Sequence, residues 1–137
     1  MNLRNTFNEE EGKPLRALVV DDSGIVKTQL VRIIQQAGCV VVGLASDGVE
    51  GVEMYKKLMP DFVTMDIEMP NMSGLEALKK IVEHDRGAVV IMVTTVGNKA
   101  SVVESIKSGA KNYILKPFTS ESVKAAVMKC FPKVELK

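Results

Sequence analysis

Short apolar runs rich in Val and Ile alternate with longer stretches in which apolar residues return every three or four positions. The runs are Ala17–Val20, Val40–Leu44, Phe62–Met65, Val89–Val93 and Tyr113–Leu115. Their apolar residues are consecutive rather than alternating, which predicts strands buried on both faces, as in a parallel sheet. Between them, Val26, Leu30, Ile33 and Ala37 share one helical face, and so do Val52, Tyr55 and Met59. Leu75, Leu78 and Val82 make a third stripe. Val102 or Val103 with Ile106 and Ala110 makes a fourth, and Val123, Val127, Cys130 and Phe131 a fifth.

The punctuation agrees. Asp47 with Glu50, and Ser73 with Glu76, stand at capping-box spacing before two of the helices. Gly38, Gly87 and Gly109 follow three helices, where a left-handed residue is expected. Pro60 closes the second helix, and the fourth begins at either Asn98 or Ser101. Five strand–helix pairs joined by short loops imply parallel pairing with right-handed crossovers and helices on both faces. The expected fold class is therefore α/β, a doubly wound parallel five-stranded sheet in a single domain over residues 15–137. Residues 1–14 are polar, carry the run Glu9-Glu10-Glu11 and have no apolar periodicity, so they read as a flexible N-terminal arm.

Composition narrows the function classes. At 137 residues, 46% hydrophobic and 26% charged, the chain has globular averages, with room for one domain. Eighteen basic against seventeen acidic residues give a net charge of +1, so nothing points to nucleic acid or an anionic membrane as partner. The longest apolar run, Ala88 to Val93, is far short of the ~20 residues that span a bilayer. Cys39 and Cys130 lack metal-ligand spacing and read as reduced thiols, with a cytoplasmic location expected.

In a doubly wound sheet, ligands bind beyond the carboxyl ends of the strands. The first strand ends in Asp21-Asp22, the third in Asp66, the fourth in Thr94-Thr95 and the fifth in Lys116. Asp47, after the second, is better explained as a helix cap. Taken singly, each of these has a plain structural explanation: a cap, a strand-terminal threonine, a loop lysine. Taken together they converge on one edge. Two carboxylates ~4 Å apart repel by about 4 kcal/mol at an effective dielectric near 20, so three must take up a proton or hold a cation. Oxygen ligands without His or Cys suit Mg²⁺, and Lys116 offers a second positive charge. A hydroxyl, an ammonium and a dication around one carboxylate are the parts of a phosphoryl-transfer site. A carboxylate can itself be the nucleophile, which makes the central acid, Asp66, the candidate.

The pieces LVVDDSG, DFVTMDIEMPNMSGLEAL, VIMVTT and GAKNYILKPF resemble the receiver domain of bacterial response regulators, over about residues 15–133. Receivers have the flavodoxin-like (βα)5 fold. The resemblance implies that Asp66 is the phosphoacceptor and that Asp22, Asp66 and the backbone carbonyl of Glu68 hold Mg²⁺, with Asp21 acting through water. It implies that Thr94 is the switch hydroxyl, that Lys116 contacts a phosphate oxygen before a cis bond to Pro117, and that Tyr113 follows the threonine. The donor would be a phosphohistidine on a sensor kinase, and the output face would combine the fourth helix, fifth strand and fifth helix. The implied protein is not an enzyme beyond its own phosphorylation and slow dephosphorylation. Two positions depart from many relatives: Glu68 brings a negative charge to the rim, and Thr95 places a branched side chain beside Thr94. Both bear on how long the phosphorylated state lasts.

With no room for a DNA-binding module, the expected output is a protein–protein contact. The stretch TTVGNKASVVESIKSGAKNYILKPF is most similar to the stand-alone chemotaxis receivers of the CheY type. That implies a CheA-like histidine kinase and a flagellar motor switch protein as partners, with a phosphatase as a further one. The alternatives are a phosphorelay intermediate serving a histidine phosphotransfer protein and, in another class, a Mg²⁺-dependent phosphatase of the haloacid dehalogenase type. The latter wants a second Asp two residues after its nucleophile on the first strand, where Ser23 and Gly24 stand. His84, the only histidine, is expected at the surface near the end of the third helix.

Overall fold

The computed structural model describes residues 13–137. Most of the expected arm, residues 1–12, lies outside the described residues. The elements run β1 (Arg16–Val20), α1 (Gly24–Gln36), β2 (Val40–Ala45), α2 (Gly48–Leu58), β3 (Phe62–Asp66), α3 (Gly74–His84), β4 (Val90–Thr95), α4 (Lys99–Lys107), β5 (Asn112–Lys116) and α5 (Ser120–Cys130). All pairings are parallel, in the order β2-β1-β3-β4-β5. The doubly wound sheet expected from the alternation of periods is what forms. No helix among the described residues is long and apolar enough to cross a membrane.

Successive residues of each central strand serve opposite cores. Ala17, Val19, Phe62, Ile91 and Val93 face α1 and α5, packing with Leu30, Ile34, Val123, Val127 and Phe131. Leu18, Val20, Val63, Met65, Val90 and Met92 face α2 and α3, packing with Val52, Tyr55, Ala77, Leu78 and Ile81. Burial on both faces therefore holds for β1, β3 and β4. It fails for β2 and β5: Val40, Leu44, Tyr113 and Leu115 are each more than 40% exposed. These are the edge strands, where the helical layers end before the sheet does.

Three helical expectations also need correction. In α4 the buried residue is Ser105, whose hydroxyl donates to the Ser101 carbonyl, while Val103 and Ile106 turn outward at 45% exposure each. In α3 the fully buried stripe is Ala77, Leu78 and Ile81; Leu75 and Val82 only flank it. In α2, Met59 lies beyond the last turn in a left-handed conformation (φ 45°), ahead of Pro60. Gly38 and Gly109 do adopt positive φ, but Gly87 does not. Asp85 ends α3 in its place, and its side chain accepts the Gly87 N–H at 3.0 Å and the Tyr55 hydroxyl at 2.7 Å. The caps at Asp47 and Ser73 form as expected, each accepting from the N–H three residues on. Glu50 returns to the Ser46 N–H, one residue earlier than a capping box requires. At α5, Thr119 and Ser122 make a reciprocal capping box that the pattern did not suggest.

Candidate functional site

Because β1, β3, β4 and β5 run in parallel and in register, their last residues meet at one edge of the sheet. Asp21 and Asp22 follow β1, Asp66 ends β3, Thr94 and Thr95 end β4, and Lys116 ends β5. Asp21 is fully buried, Asp66 nearly so, and Asp22 is exposed. One carboxylate oxygen from each of the three lies within 4.8 Å of the others. Lys116 Nζ reaches between two of them, 3.2 Å from Asp21 Oδ2 and 3.4 Å from Asp66 Oδ1. The peptide bond that follows, Lys116–Pro117, is cis.

Backbone geometry sets these positions. Asp21 is held by its own N–H, which donates to the Ala45 carbonyl at 3.0 Å, and by Oδ1, which accepts the Ser23 N–H at 2.9 Å. Ser23 in turn caps α1 by accepting from the Val26 N–H. Behind Asp66 lies Gly74, the first residue of α3. A Cβ there would come far inside van der Waals contact distance of the Asp66 carbonyl oxygen, and the Gly74 N–H donates to the Ile67 carbonyl at 2.7 Å. Only a residue without a side chain lets α3 start so close to the strand end. Nothing in the apolar pattern marked Gly74; its one signal is its place after the Ser73 cap.

Burial pushes the Asp66 carboxyl up to about 6, the Asp21 charge adds to the rise, and the Lys116 ammonium opposes it. For Lys116 burial acts downward, but the Asp66 and Asp21 charges outweigh it and raise the ammonium above its ordinary value. Three carboxylates thus face one ammonium. The remaining negative charge, offered entirely through oxygen, fits a hard dication such as Mg²⁺. The cysteines are remote from this chemistry. Cys39 is buried, which lifts its thiol to about 11; Cys130 is half-buried and also raised by burial.

The threonines divide as a strand alternates: Thr94 is buried and Thr95 exposed. Glu68 sits on the exposed rim, Tyr113 is 43% exposed on β5, and His84 ends α3 at the surface. Asp47 is a cap, as its position suggested, and also accepts from Asn71 Nδ2 at 2.8 Å. Asn98 went unrecognised as a site residue. It occupies the N-cap position of α4, yet its side chain makes no capping bond and instead reaches Thr94, Thr95 and Glu68. A tight turn brings it back onto the strand end, the Asn98 N–H donating to the Thr95 carbonyl at 3.3 Å, and no spacing rule in the sequence marks that turn.

Residues 17–128 match the family model described as the response regulator receiver domain. The chain is 46% identical over 114 residues to the chemotaxis protein CheY of Thermotoga maritima, covering 83% of this chain and 95% of that protein. It is 43% identical to CheY of Listeria monocytogenes, over 84% of this chain and 97% of that one. Among solved structures it resembles the CheX–CheY–BeF3–Mg²⁺ complex from Borrelia burgdorferi, with a TM-score of 0.87 and 38% identity. That match covers 90% of this chain and 94% of the other. An acidic strand-end cluster bridged by a lysine, on a five-stranded parallel sheet, is thus accompanied by family-wide similarity along the chain: it belongs to the response regulator receiver family of two-component systems, as a CheY-like chemotaxis regulator.

Proposed function

We propose that residues 15–137 form a receiver that takes a phosphoryl group onto Asp66 from a phosphohistidine of a CheA-like sensor kinase. A carboxylate oxygen of Asp66 attacks phosphorus as the P–N bond breaks. The bonding electrons stay on the imidazole nitrogen, which is left neutral or takes a proton from water. With its carboxyl near 6, Asp66 is about nine-tenths ionised at pH 7 and therefore nucleophilic. Lys116, already 3.4 Å from Asp66, neutralises a phosphoryl oxygen, and the Thr94 hydroxyl donates to another. Asp22, Asp66 and the Glu68 carbonyl, with Asp21 through water, are the groups that would hold Mg²⁺. A bound dication would add further neutralisation of the transferred group. The observation that carries this reading is the approach of three carboxylates within 4.8 Å, with Lys116 bridging two of them.

The signal leaves through the α4–β5–α5 face, where Val103, Ile106, Tyr113, Leu115 and Met128 expose apolar surface to a partner. Withdrawal of Thr94 toward the phosphoryl group, with Tyr113 following, changes that face by population shift. The chemotaxis relatives support a role in chemotaxis, for which the target we assign is a flagellar motor switch protein and the site of action the cytoplasm. The CheX protein bound to the CheY chain in the Borrelia structure supports a further protein partner of that kind, which we read as the phosphatase. The test is mass spectrometry after incubation with acetyl phosphate and Mg²⁺. A single phosphoryl adduct is expected on the wild type and none on Asp66→Asn; an adduct that persists in the variant places the acceptor elsewhere.

A further inference from the structure

Asn98 breaks a local rule in a way that points to a task. An Asn at an N-cap position ordinarily turns its side chain onto the free N–H groups of the first helical turn. Here the backbone has φ −96° and ψ 36°, and the side chain makes no capping bond. Its Nδ2 instead lies 3.0 Å from Thr94 Oγ1, 3.3 Å from Thr95 Oγ1 and 3.5 Å from Glu68 Oε1. A carboxylate can only accept, so the amide nitrogen faces inward and its two hydrogens are shared among three oxygens. One amide thus ties the end of β4 and the rim after β3 to the first residue before α4.

We propose that Asn98 is a positioning residue that latches Thr94 in the resting arrangement. The inference rests on the reading of Asp66 as phosphoacceptor and Thr94 as the hydroxyl that engages the phosphoryl group. For Thr94 to turn toward Asp66, the Asn98–Thr94 hydrogen bond must break. Its strength is therefore set against activation. The same amide holds Thr95 and Glu68, the two side chains at the rim of the phosphorylation site, so the latch and the rim move together. Local consistency given up at a helix start is what a functional demand on the residue produces.

The probe is beryllium fluoride with Mg²⁺, which mimics a phosphoryl group on a carboxylate, titrated calorimetrically into the full chain. Asn98→Ala removes the latch and any cap. Asn98→Ser removes the latch but retains a good cap residue. Both variants are expected to bind beryllium fluoride about two- to tenfold more tightly than wild type, the factor a single net hydrogen bond supplies. Affinity for Mg²⁺ alone should be unchanged, because Asn98 makes no hydrogen bond to the three aspartates and meets Glu68 only at its side-chain carboxylate, not at the backbone carbonyl. Unchanged or weaker beryllium fluoride binding in both variants overturns the latch. So does a shift confined to Asn98→Ala, which would make Asn98 a helix cap. Failure of the wild type itself to bind beryllium fluoride with Mg²⁺ removes the phosphoacceptor reading, and the latch with it.

Discussion

Replacing Asp66 by Asn should make the metal-free protein more stable, although it abolishes the proposed function. In the fold the Asp66 carboxyl stands at about 6 against an ordinary 3.8, chiefly because burial penalises its charge and secondly because Asp21 repels it. At about 1.4 kcal/mol per pH unit, that displacement corresponds to about 3 kcal/mol of destabilisation once the group is ionised. The sign follows from linkage. Between 3.8 and 6 the folded chain holds more protons at this site than the unfolded chain does, so stability falls as pH rises through that window. The loss is complete above pH 6 and absent below 3.8. Asn has the size of Asp and no charge, and its carbonyl oxygen can still accept from Lys116. In urea titrations with EDTA at pH 7.5, the Asp66→Asn midpoint should lie higher by about 1.5 M, taking an m-value near 2 kcal/mol per M. The gap should close as pH falls from 6 toward 4. Saturating Mg²⁺ should then stabilise the wild type more than the variant, because a ligand that binds only the folded state adds to its stability. A variant no more stable at pH 7.5, or a gap that stays flat from pH 4 to 7, would refute the reasoning.

Gly74→Ala forces a Cβ against the Asp66 carbonyl, so α3 must back away from the strand end. It should cost about 2–3 kcal/mol in urea titrations and weaken Mg²⁺ binding, whereas an alanine at the exposed Gly24, where a Cβ meets nothing within 4 Å, should do neither. Thr64, fully buried in β3, has a hydroxyl with no hydrogen-bond partner among the described residues. Thr64→Val exchanges that hydroxyl for a methyl group and should raise the unfolding free energy by about 1 kcal/mol; a loss of stability would show that the hydroxyl is satisfied. Glu68→Asn removes a rim carboxylate beside the proposed acyl phosphate and puts in its place an amide able to orient water. Decay of the labelled protein should quicken roughly fivefold, about 1 kcal/mol for one exposed charge, with Mg²⁺-dependent phosphorylation intact. Unchanged decay would count against any influence of Glu68.

The sheet and its acidic edge were legible in the sequence because each rests on a strong constraint. Strands buried on both faces must be almost continuously apolar, as Ala17–Val20 and Val90–Val93 are, and parallel strands must deliver their ends to one edge. Asp21, Asp66, Thr94 and Lys116 therefore converge whatever the loops do. What local pattern does not contain is the order of the strands. Nothing in VVVGLA or NYILK says that β2 and β5 stand at the margins, where half their side chains face outward. Periodicity failed at α4 for a related reason. The repeat Val103–Ile106 shows that the helix has an apolar face, but not that anything in this chain covers it. Asn98 and Gly74 escaped because their importance lies in how the loops after β4 and β3 bring them back against Thr94 and Asp66, which no apolar pattern records.

Those failures share a location, and it bears on how the site could communicate. Helices α1 and α3 each bury two or more large apolar side chains, Leu30 with Ile34 and Leu78 with Ile81. Helix α4 buries only Ser105, lacks a side-chain cap and keeps Val103 and Ile106 outside. It is the least anchored of the helices among the described residues, and Asn98 joins its start directly to Thr94. Two new charge-assisted hydrogen bonds at a phosphoryl group, worth about 3 kcal/mol together, can shift an equilibrium roughly a hundredfold. Displacing α1 or α3 would uncover buried Leu and Ile side chains at about 1.5–3 kcal/mol each, which absorbs that energy entirely. Displacing α4 uncovers no fully buried apolar side chain, only half-covered valines and an isoleucine. A change confined to the acidic edge is therefore directed by differences in burial toward α4 and the exposed apolar surface it shares with β5 and α5.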